Sequence, residues 1–172
     1  MTVGLEALEI DAFLADSVVV AEGKLYVQGA GWDAIIAGTF PVRHPRLGVG
    51  VLLRVPWTAT NQMHKFSVKI VDQDENKIVL GGAPAGSDIP DGKVREIVGQ
   101  FNLGRPPFLT QGDSQIVPIA LNIDGIEFDM PNTYSVVVAV DDEDLRRLPI
   151  RVRSMVQMPG GIGPGQLPRF GA

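Results

Sequence analysis

Residues 47–55, LGVGVLLRV, alternate between two kinds of side chain. The odd-numbered positions are all Leu or Val, whereas the even-numbered positions include Gly48, Gly50 and Arg54. Successive side chains of a β-strand point to opposite faces of its sheet, so this period of two predicts a strand with one face in a core. Pro56 follows directly and ends the predicted pairing, because proline has no N–H group to donate.

Similar apolar segments occur on both sides of this stretch. They span residues 13–20, 24–29, 63–71, 77–80, 96–103, 115–123, 132–140 and 145–154. Short stretches rich in Gly, Pro, Asp or Asn separate them, and none keeps the 3.6-residue spacing of a long helix. Pro118 lies within one of these segments and indicates a strand at the edge of a sheet.

The number and spacing of these segments predict an all-β protein. Roughly eight to ten strands separated by turns are typical of an antiparallel β-sandwich. The last two strands and the tight acidic turn between them resemble the closing hairpin of an immunoglobulin-like fold. The chain has no cysteine, so an antibody-type domain with its disulfide is excluded. We therefore expect an immunoglobulin-like β-sandwich with a Gly/Pro-rich C-terminal tail.

Three regions follow from this pattern. Residues 1–12 are predicted to be an N-terminal arm or a short helix, and residues 13–156 the β-sandwich domain. Residues 157–172 are rich in Gly and Pro, which argues against a packed element. This tail is predicted to be either flexible or docked on a partner subunit. Its apolar anchors in the docked form would be Ile162, Leu167 and Phe170.

Composition and charge exclude several classes of protein. The absence of cysteine rules out disulfides, thiolate metal sites and a cysteine nucleophile. The net charge of −5 and the lack of a basic stripe argue against nucleic acid as a partner. No apolar run approaches the roughly 20 residues that cross a bilayer, and the N-terminus lacks the positive segment of a signal peptide. We expect a cytoplasmic protein with no membrane partner.

The sequence contains no motif of a familiar catalytic site. The serine-hydrolase GxSxG, the zinc-binding HExxH and the phosphate-binding GxxxxGK[ST] patterns are all missing. His44 lies in a predicted loop between Pro41 and Pro45, and His64 opens a predicted strand. Neither histidine has carboxylates at the spacing of a metal site, so we interpret both as surface or strand-end residues. We expect no enzyme activity, no cofactor and no metal.

Two acidic turns raise the question of calcium. Residues 72–76, DQDEN, resemble the start of an EF-hand loop, but its sixth and twelfth positions are Lys77 and Ala83 instead of Gly and Glu. Residues 141–144, DDED, are the densest charge cluster of the chain. Solvated hairpin turns are the simpler interpretation of both segments. The sequence leaves open whether the two turns bind calcium.

Both tryptophans lie at predicted strand ends. Trp32 follows Gly29-Ala30-Gly31, and Trp57 follows Pro56. A large ring at such a place caps a core or lines a pocket, and core packing is the simpler interpretation. The alternative is a ligand or partner surface at one end of the sandwich. That surface would consist of Trp32, Trp57, His44 and Arg105.

An ordered set of short segments carries a resemblance to a known family. The segments are Ala15-Asp16, Gly23-Lys24, Gly29-Ala30-Gly31-Trp32-Asp33, Val55-Pro56-Trp57 and Gly104-Arg105-Pro106-Pro107. Over residues 12–155 the chain resembles a family of uncharacterised bacterial proteins, common in actinobacteria, with AD, GK, GGWD, VPW and GRPP segments in this order. Here GGWD is replaced by GAGWD. The resemblance implies a compact β-sandwich and brings no activity and no catalytic residues.

These observations favour a non-enzymatic structural or protein-interaction module. Such a module would self-associate into a homo-oligomer or join a larger assembly, which includes a virion or a similar particle. The alternative is a β-sandwich that binds a small ligand near Trp32 and Trp57.

Overall fold

The computed structural model describes residues 7–83, 85 and 87–155. Twelve strands and one 3₁₀ turn, Trp57–Ala59, lie within these residues. The strands are β1 Glu9–Ala15, β2 Ser17–Ala21, β3 Lys24–Gln28, β4 Ala34–Ala37, β5 Val42–Pro56, β6 Met63–Val71, β7 Gly81–Gly82, β8 Lys93–Val94, β9 Glu96–Asn102, β10 Ser114–Phe128, β11 Asn132–Val140 and β12 Glu143–Ser154.

The strands form two main sheets and two small hairpins. Sheet 1 has the order β1-β5-β10, and sheet 2 has the order β4-β12-β11-β6-β9. All neighbours in these sheets are antiparallel except β4, which runs parallel to β12. The predicted all-β architecture is confirmed, and β10 with its Pro118 lies at an edge of sheet 1 as predicted. The immunoglobulin-like assignment stays a prediction.

The stretch 47–55 lies in β5, the central strand of sheet 1, and supplies the middle of the core. Its odd-numbered side chains are at most 1 % exposed and belong to one cluster with Val136, Val138 and Ile150 of sheet 2. Burying one Val or Leu side chain contributes about 1.5–3 kcal/mol. The face-to-face packing of the two sheets therefore depends on the alternation seen in the sequence.

The opposite face of β5 is covered closely by other parts of the chain. The Phe13 ring lies over Gly50, where a Cβ atom would be 2.4 Å from the ring. The backbone of Ala15 and Ser17 lies over Gly48, where a Cβ atom would be 3.1 to 3.2 Å from backbone atoms. Both glycines are therefore required for the chain to cross this face of sheet 1.

The crossing chain continues into the hairpin β2–β3. The predicted strand 13–20 is divided at Asp16, and β2 leaves sheet 1 to lie against β10. There the Asn122 side chain accepts from the Val18 N–H at 3.0 Å and donates to the Val18 carbonyl at 2.7 Å. Farther along the hairpin, Val19 and Tyr26 are 55 % and 50 % exposed.

Three further sequence predictions differ from the structure. Residues 77–80, predicted to be a strand, form only an isolated bridge, between Lys77 and Val71. Residues 9–12, predicted to belong to an arm or a short helix, are the start of β1, because pairing with residues 51–54 of β5 outweighs their weak helical spacing. His44 and Pro45, predicted to lie in a loop, belong to β5. Pro45 lies opposite Gly125 of β10, whose φ is 68°, and this is the one position missing from the pairing of β5 with β10 between Val42 and Pro56.

Replacing Gly48 by Val is expected to lower the free energy of unfolding by about 1–3 kcal/mol, because the new side chain must displace the backbone that crosses it. Urea denaturation measures this loss as a lower midpoint. Gly38→Val is the matched control, since a Cβ atom at Gly38 meets nothing within 4 Å. Equal midpoints for the two variants would contradict the close packing at Gly48.

Candidate functional site

The four residues predicted to form one binding surface lie in two separate clusters. His44 is near the start of β5 and contacts Trp32, whereas Trp57 directly follows the end of β5 and contacts Arg105. Residues 44 and 57 are 13 positions apart, or about 43 Å along an extended strand. We call the two groups the Trp32 cluster (Trp32 and His44) and the Trp57 cluster (Trp57, Thr60 and Arg105).

The Trp32 cluster contains two buried polar atoms. The Trp32 and His44 rings are 5.3 Å apart between centroids and tilted by 56°. Trp32 Nε1 and His44 Nε2 are both buried and have no hydrogen-bond partner among the described residues. Burial lowers the pKa of His44, although a hydrogen bond with the Arg46 backbone and the charge of Asp16 oppose this effect. The ring is therefore neutral at pH 7.

The residues around Trp32 hold the β3–β4 connection in place. The Asp33 carboxylate forms an ion pair with Arg151, and the Arg151 N–H donates to the Asp33 carbonyl at 2.7 Å. Gly29 has a φ of 67° and packs against the Asp16 side chain so closely that a Cβ atom would overlap it. The GAGWD and Ala15-Asp16 segments thus meet at one structural junction.

The Trp57 cluster joins the VPW and GRPP segments. The Arg105 guanidinium lies 4.3 Å from the centroid of the Trp57 ring, a cation–π geometry. Arg105 also donates to Thr60 Oγ1 at 2.6 Å and to the Trp57 carbonyl at 3.1 Å. Because the guanidinium is already bound within the chain, this cluster secures a loop and offers few donors to a ligand.

His64, predicted to be a surface or strand-end residue, lies at a strand end but is not at the surface. It lies near the start of β6, yet only 4 % of the residue is exposed. Its Nδ1 is 2.7 Å from Asp141 Oδ2, and its Nε2 is 2.7 Å from the Ala59 carbonyl oxygen. A carboxylate and a carbonyl are both acceptors, so this geometry favours the imidazolium, in which both ring nitrogens donate. The ring stacks on Phe101 of β9 at 5.2 Å.

The His64–Asp141 pair shifts the pKa of both groups. Burial lowers the pKa of His64, but the Ala59 carbonyl and the Asp141 carboxylate outweigh it, and the pKa is raised. Burial raises the pKa of Asp141, but hydrogen bonds from His64 and the Lys65 N–H outweigh it, and the pKa is lowered. Both shifts favour the charged pair.

The two acidic turns are held by internal contacts. The Asp72 carboxylate accepts from the N–H groups of Asp74 and Asn76, at 2.9 Å each, which is a compact turn geometry. Arg147 binds Glu75 from one turn at 2.6 Å and Asp144 from the other at 3.0 Å. The turns therefore meet around a guanidinium. Within the part of the chain that the structure describes, no three His, Asp or Glu side chains are grouped to hold a metal.

An apolar groove on the open side of the sandwich was missed by the sequence prediction. It lies between β9, an edge of sheet 2, and β10, an edge of sheet 1, and has a volume of about 330 Å³. Its apolar lining comes from three strands. The main contributors are Phe66, Ile97, Phe101, Ile119 and Leu121. The period-two pattern predicted their inward orientation, but it contains no signal that the two edges lie together.

The free edge of β9 borders this groove. Among the described residues β9 pairs with β6 alone, and Val98, Gly99 and Gln100 are exposed in succession, Val98 by 54 %. β9 contains neither Pro nor Lys, which commonly protect edges from pairing with other chains. Its one charged residue, Glu96, is bound by Lys77 at 2.5 Å.

The other edges of the two sheets are better protected. β10 carries Pro118, which has no N–H to donate, and β4 is only 4 residues long. β1 carries Glu9 and Asp11, two like charges on one strand. β9 is thus the main-sheet edge most suited to pairing with another strand.

A polar cleft of about 860 Å³, separate from the apolar groove, lies beside the β7–β8 hairpin. Arg43 and Lys93 line it together with Asp124, Glu127 and Asp129. Asp124 is already bound by Arg46 at 2.6 Å. Charges of both signs lie close together here, so the cleft does not favour one class of ligand.

Comparison with known proteins identifies a family but no function. Residues 10–153 match the model of a family described as "Family of unknown function (DUF6941)". No curated protein matches the chain. The match bears out the resemblance to an uncharacterised family, whereas the actinobacterial origin stays a prediction.

Two further observations concern membrane-spanning helices and the tail. Over residues 7–83, 85 and 87–155, no helix is long and apolar enough to cross a membrane. The predicted docking residues of the tail lie outside the described residues. They are Ile162, Leu167 and Phe170.

Asp141→Asn is expected to lower stability most between about pH 4 and pH 6.5. The raised pKa of His64 gives stability that is present below about pH 6.5 and is lost as the pH rises through the folded-state value. The lowered pKa of Asp141 gives stability that is present above about pH 4 and is lost on acidification. Urea unfolding of wild type and variant at pH 5.5 and pH 8.5 measures the difference.

Asp142→Asn is the matched control, because Asp142 occupies the same turn and binds the exposed Lys65. We expect its effect to be small and similar at both pH values. A stability loss for Asp141→Asn that is equal at pH 5.5 and pH 8.5 would show that His64 is not an imidazolium.

Proposed function

Since the chain belongs to DUF6941, a family of unknown function, we propose its role from its surface: a non-enzymatic interaction module that self-associates through the apolar groove and the free edge of β9. The observation that carries the proposal is that one side of the sandwich combines both features. A free edge offers unpaired N–H and C=O groups, and an adjacent apolar surface gains free energy on burial. Either feature alone is common, but together they favour a strand-bearing partner.

A second copy of this chain satisfies both requirements. It brings an identical edge and an identical set of apolar side chains, and two-fold dimers are the commonest protein oligomers. Glu96 is already paired with Lys77, so joining two β9 edges buries no unpaired charge from this strand. The net charge of −5 acts against association at low salt, but it is spread over the whole chain.

The proposal also includes a larger assembly of dimers and the place of the protein in the cell. The exposed Val19 and Tyr26 of hairpin β2–β3 give each copy a second apolar surface, which would link dimers into a larger particle. A structural component of a virion is one form of such an assembly. We propose a cytoplasmic location, because a chain without cysteine is suited to a reducing compartment.

Val98→Lys is expected to abolish self-association, because a lysine on an edge strand opposes pairing with another strand. Sedimentation velocity of the wild type at rising concentration should approach twice the monomer mass of 18.5 kDa, whereas the variant should remain a monomer. Ile116→Lys is the matched control, since Ile116 is 55 % exposed on β10 and does not line the groove.

A chain without residues 157–172 distinguishes self-association through β9 from self-association through the tail. A truncated chain that keeps the wild-type mass supports the β9 edge, and one that becomes a monomer supports the tail. A wild-type chain that stays monomeric at every concentration contradicts self-association altogether.

A second candidate function is the binding of a small neutral molecule at the Trp32 cluster. Trp32 Nε1 offers a donor, and His44 Nε2 offers an acceptor when the other ring nitrogen binds the Arg46 backbone. A hydroxyl group both accepts and donates, so a sugar or another polyol matches this pair. This site does not include Trp57, because Trp32 contacts His44 near the start of β5 whereas Trp57 directly follows its end.

In a Trp57→Phe chain, Trp32 is the one remaining tryptophan. Its fluorescence emission maximum is expected to shift as such a polyol is added and to reach a plateau at high polyol concentration. Glucose and glycerol are suitable probes, and His44→Leu in the same chain is the control that removes the acceptor. A linear change, or the same change in the control, would contradict a site at the Trp32 cluster.

A further inference from the structure

The sequence of β9 is suited to pairing with a copy of itself. Its residues 96–102, EIVGQFN, have Gly99 at their centre. Ile97 and Phe101 pack against the core, which places them and Gly99 on the inner face of β9. Glu96, Val98, Gln100 and Asn102 alternate with them on the outer face, although Val98 and Gln100 also border the groove. When a sheet continues across a two-fold axis, inner residues must face inner residues. The axis must then pass through a residue of β9, not between two residues.

An axis through Gly99 pairs the strand along its whole length. Ile97 then faces Phe101 of the second copy, Val98 faces Gln100, and Glu96 faces Asn102. An axis through Val98 pairs only residues 96–100, and one through Gln100 pairs only residues 98–102. Each unpaired residue leaves N–H and C=O groups without a strand partner, so the axis at Gly99 pairs the largest number of backbone groups along the edge.

The side chains that would face each other are compatible in charge and size. Glu96 meets the neutral Asn102, so no like charges are opposed across the axis. Ile97 meets Phe101, a β-branched and aromatic pair of the kind that stabilises neighbouring strands. A Cβ atom at Gly99 would meet nothing within 4 Å, and a glycine within a strand often marks close approach of another backbone.

The same arrangement would close the groove. Because inner faces remain on one side, the open mouths of both copies would face each other across the axis. Ile119 and Leu121 of β10 would then be covered along with Ile97 and Phe101. β10 does not compete for the pairing, because Pro118 interrupts the N–H groups along its edge.

We infer that two copies of this chain join β9 to β9 about a two-fold axis at Gly99, so that sheet 2 runs continuously through the dimer as ten strands. This inference rests on the proposed self-association and specifies its register. Facing residues of antiparallel strands have Cα atoms about 4.5–5.5 Å apart, whereas diagonal neighbours are about 7–8 Å apart.

Disulfide formation between single-cysteine variants reports directly on which residues of the two β9 strands face each other. The native chain has no cysteine, so Val98→Cys and Gln100→Cys each introduce the sole thiol. The two variants, one carrying an affinity tag, are mixed under mild oxidation. We expect a mixed disulfide dimer and no disulfide dimer of either variant alone, because only facing Cα atoms fall within disulfide range. Val98→Cys mixed with Ile116→Cys is the matched negative control.

A chain that carries both cysteines provides a second variant. We expect it to become a covalent dimer without mixing, and sedimentation under reducing conditions confirms that each variant retains its mass. A disulfide dimer of Val98→Cys alone would place the axis at Val98 and overturn the register. A non-covalent dimer that forms no disulfide at β9 would overturn the strand pairing, whereas a monomer before oxidation would overturn the proposed function as well.

Discussion

The two unlike faces of β5 are the constraint on which the rest of the structure depends. The Leu and Val face joins sheet 1 to sheet 2 through the core. The face with Gly48 and Gly50 is so flat that Phe13 and the chain at Ser17 lie directly on it. The first face needs large side chains to fill the core, and the second needs residues without a side chain where the chain lies on it. Few substitutions in this strand are therefore compatible with both faces.

The sandwich that results is unequal, and its open side follows from that inequality. Sheet 1 has three strands and sheet 2 has five, so the two sheets do not cover each other completely. The apolar inner face of β9 is left beside the groove, next to an edge without Pro or Lys. Natural edge strands usually carry such protection, and its absence here is the main reason to propose a partner strand.

The sequence predicted the strands better than their arrangement. The period of two located β6, β9 and β11 closely, because the residues on the inner face of each strand recur at every second position. It missed the start of β1 and the division at Asp16, because cross-strand pairing with β5 decided both. It also placed His44 in a loop because of the adjacent Pro45, although the pairing with β10 continues on both sides of that proline.

The candidate sites were harder to predict, since they combine residues that are distant in the chain. The sequence predicted one surface made of Trp32, His44, Trp57 and Arg105, whereas the structure has two separate contacting pairs, Trp32 with His44 and Trp57 with Arg105. The groove was not predicted, because alternation reveals which side chains face inward and not which strands lie at edges. The acidic turns, predicted to be solvated, are largely exposed, and Arg147 and Lys65 bind several of their carboxylates.

Amide hydrogen exchange of the unmodified chain, at low and at high protein concentration, tests self-association at β9 most directly. Pairing between copies predicts that the solvent-facing amides of residues 96–102 exchange more slowly as concentration rises, while the amides of β4 remain unchanged. Exchange in β9 that is independent of concentration, over a range in which the mass also stays that of a monomer, would contradict it.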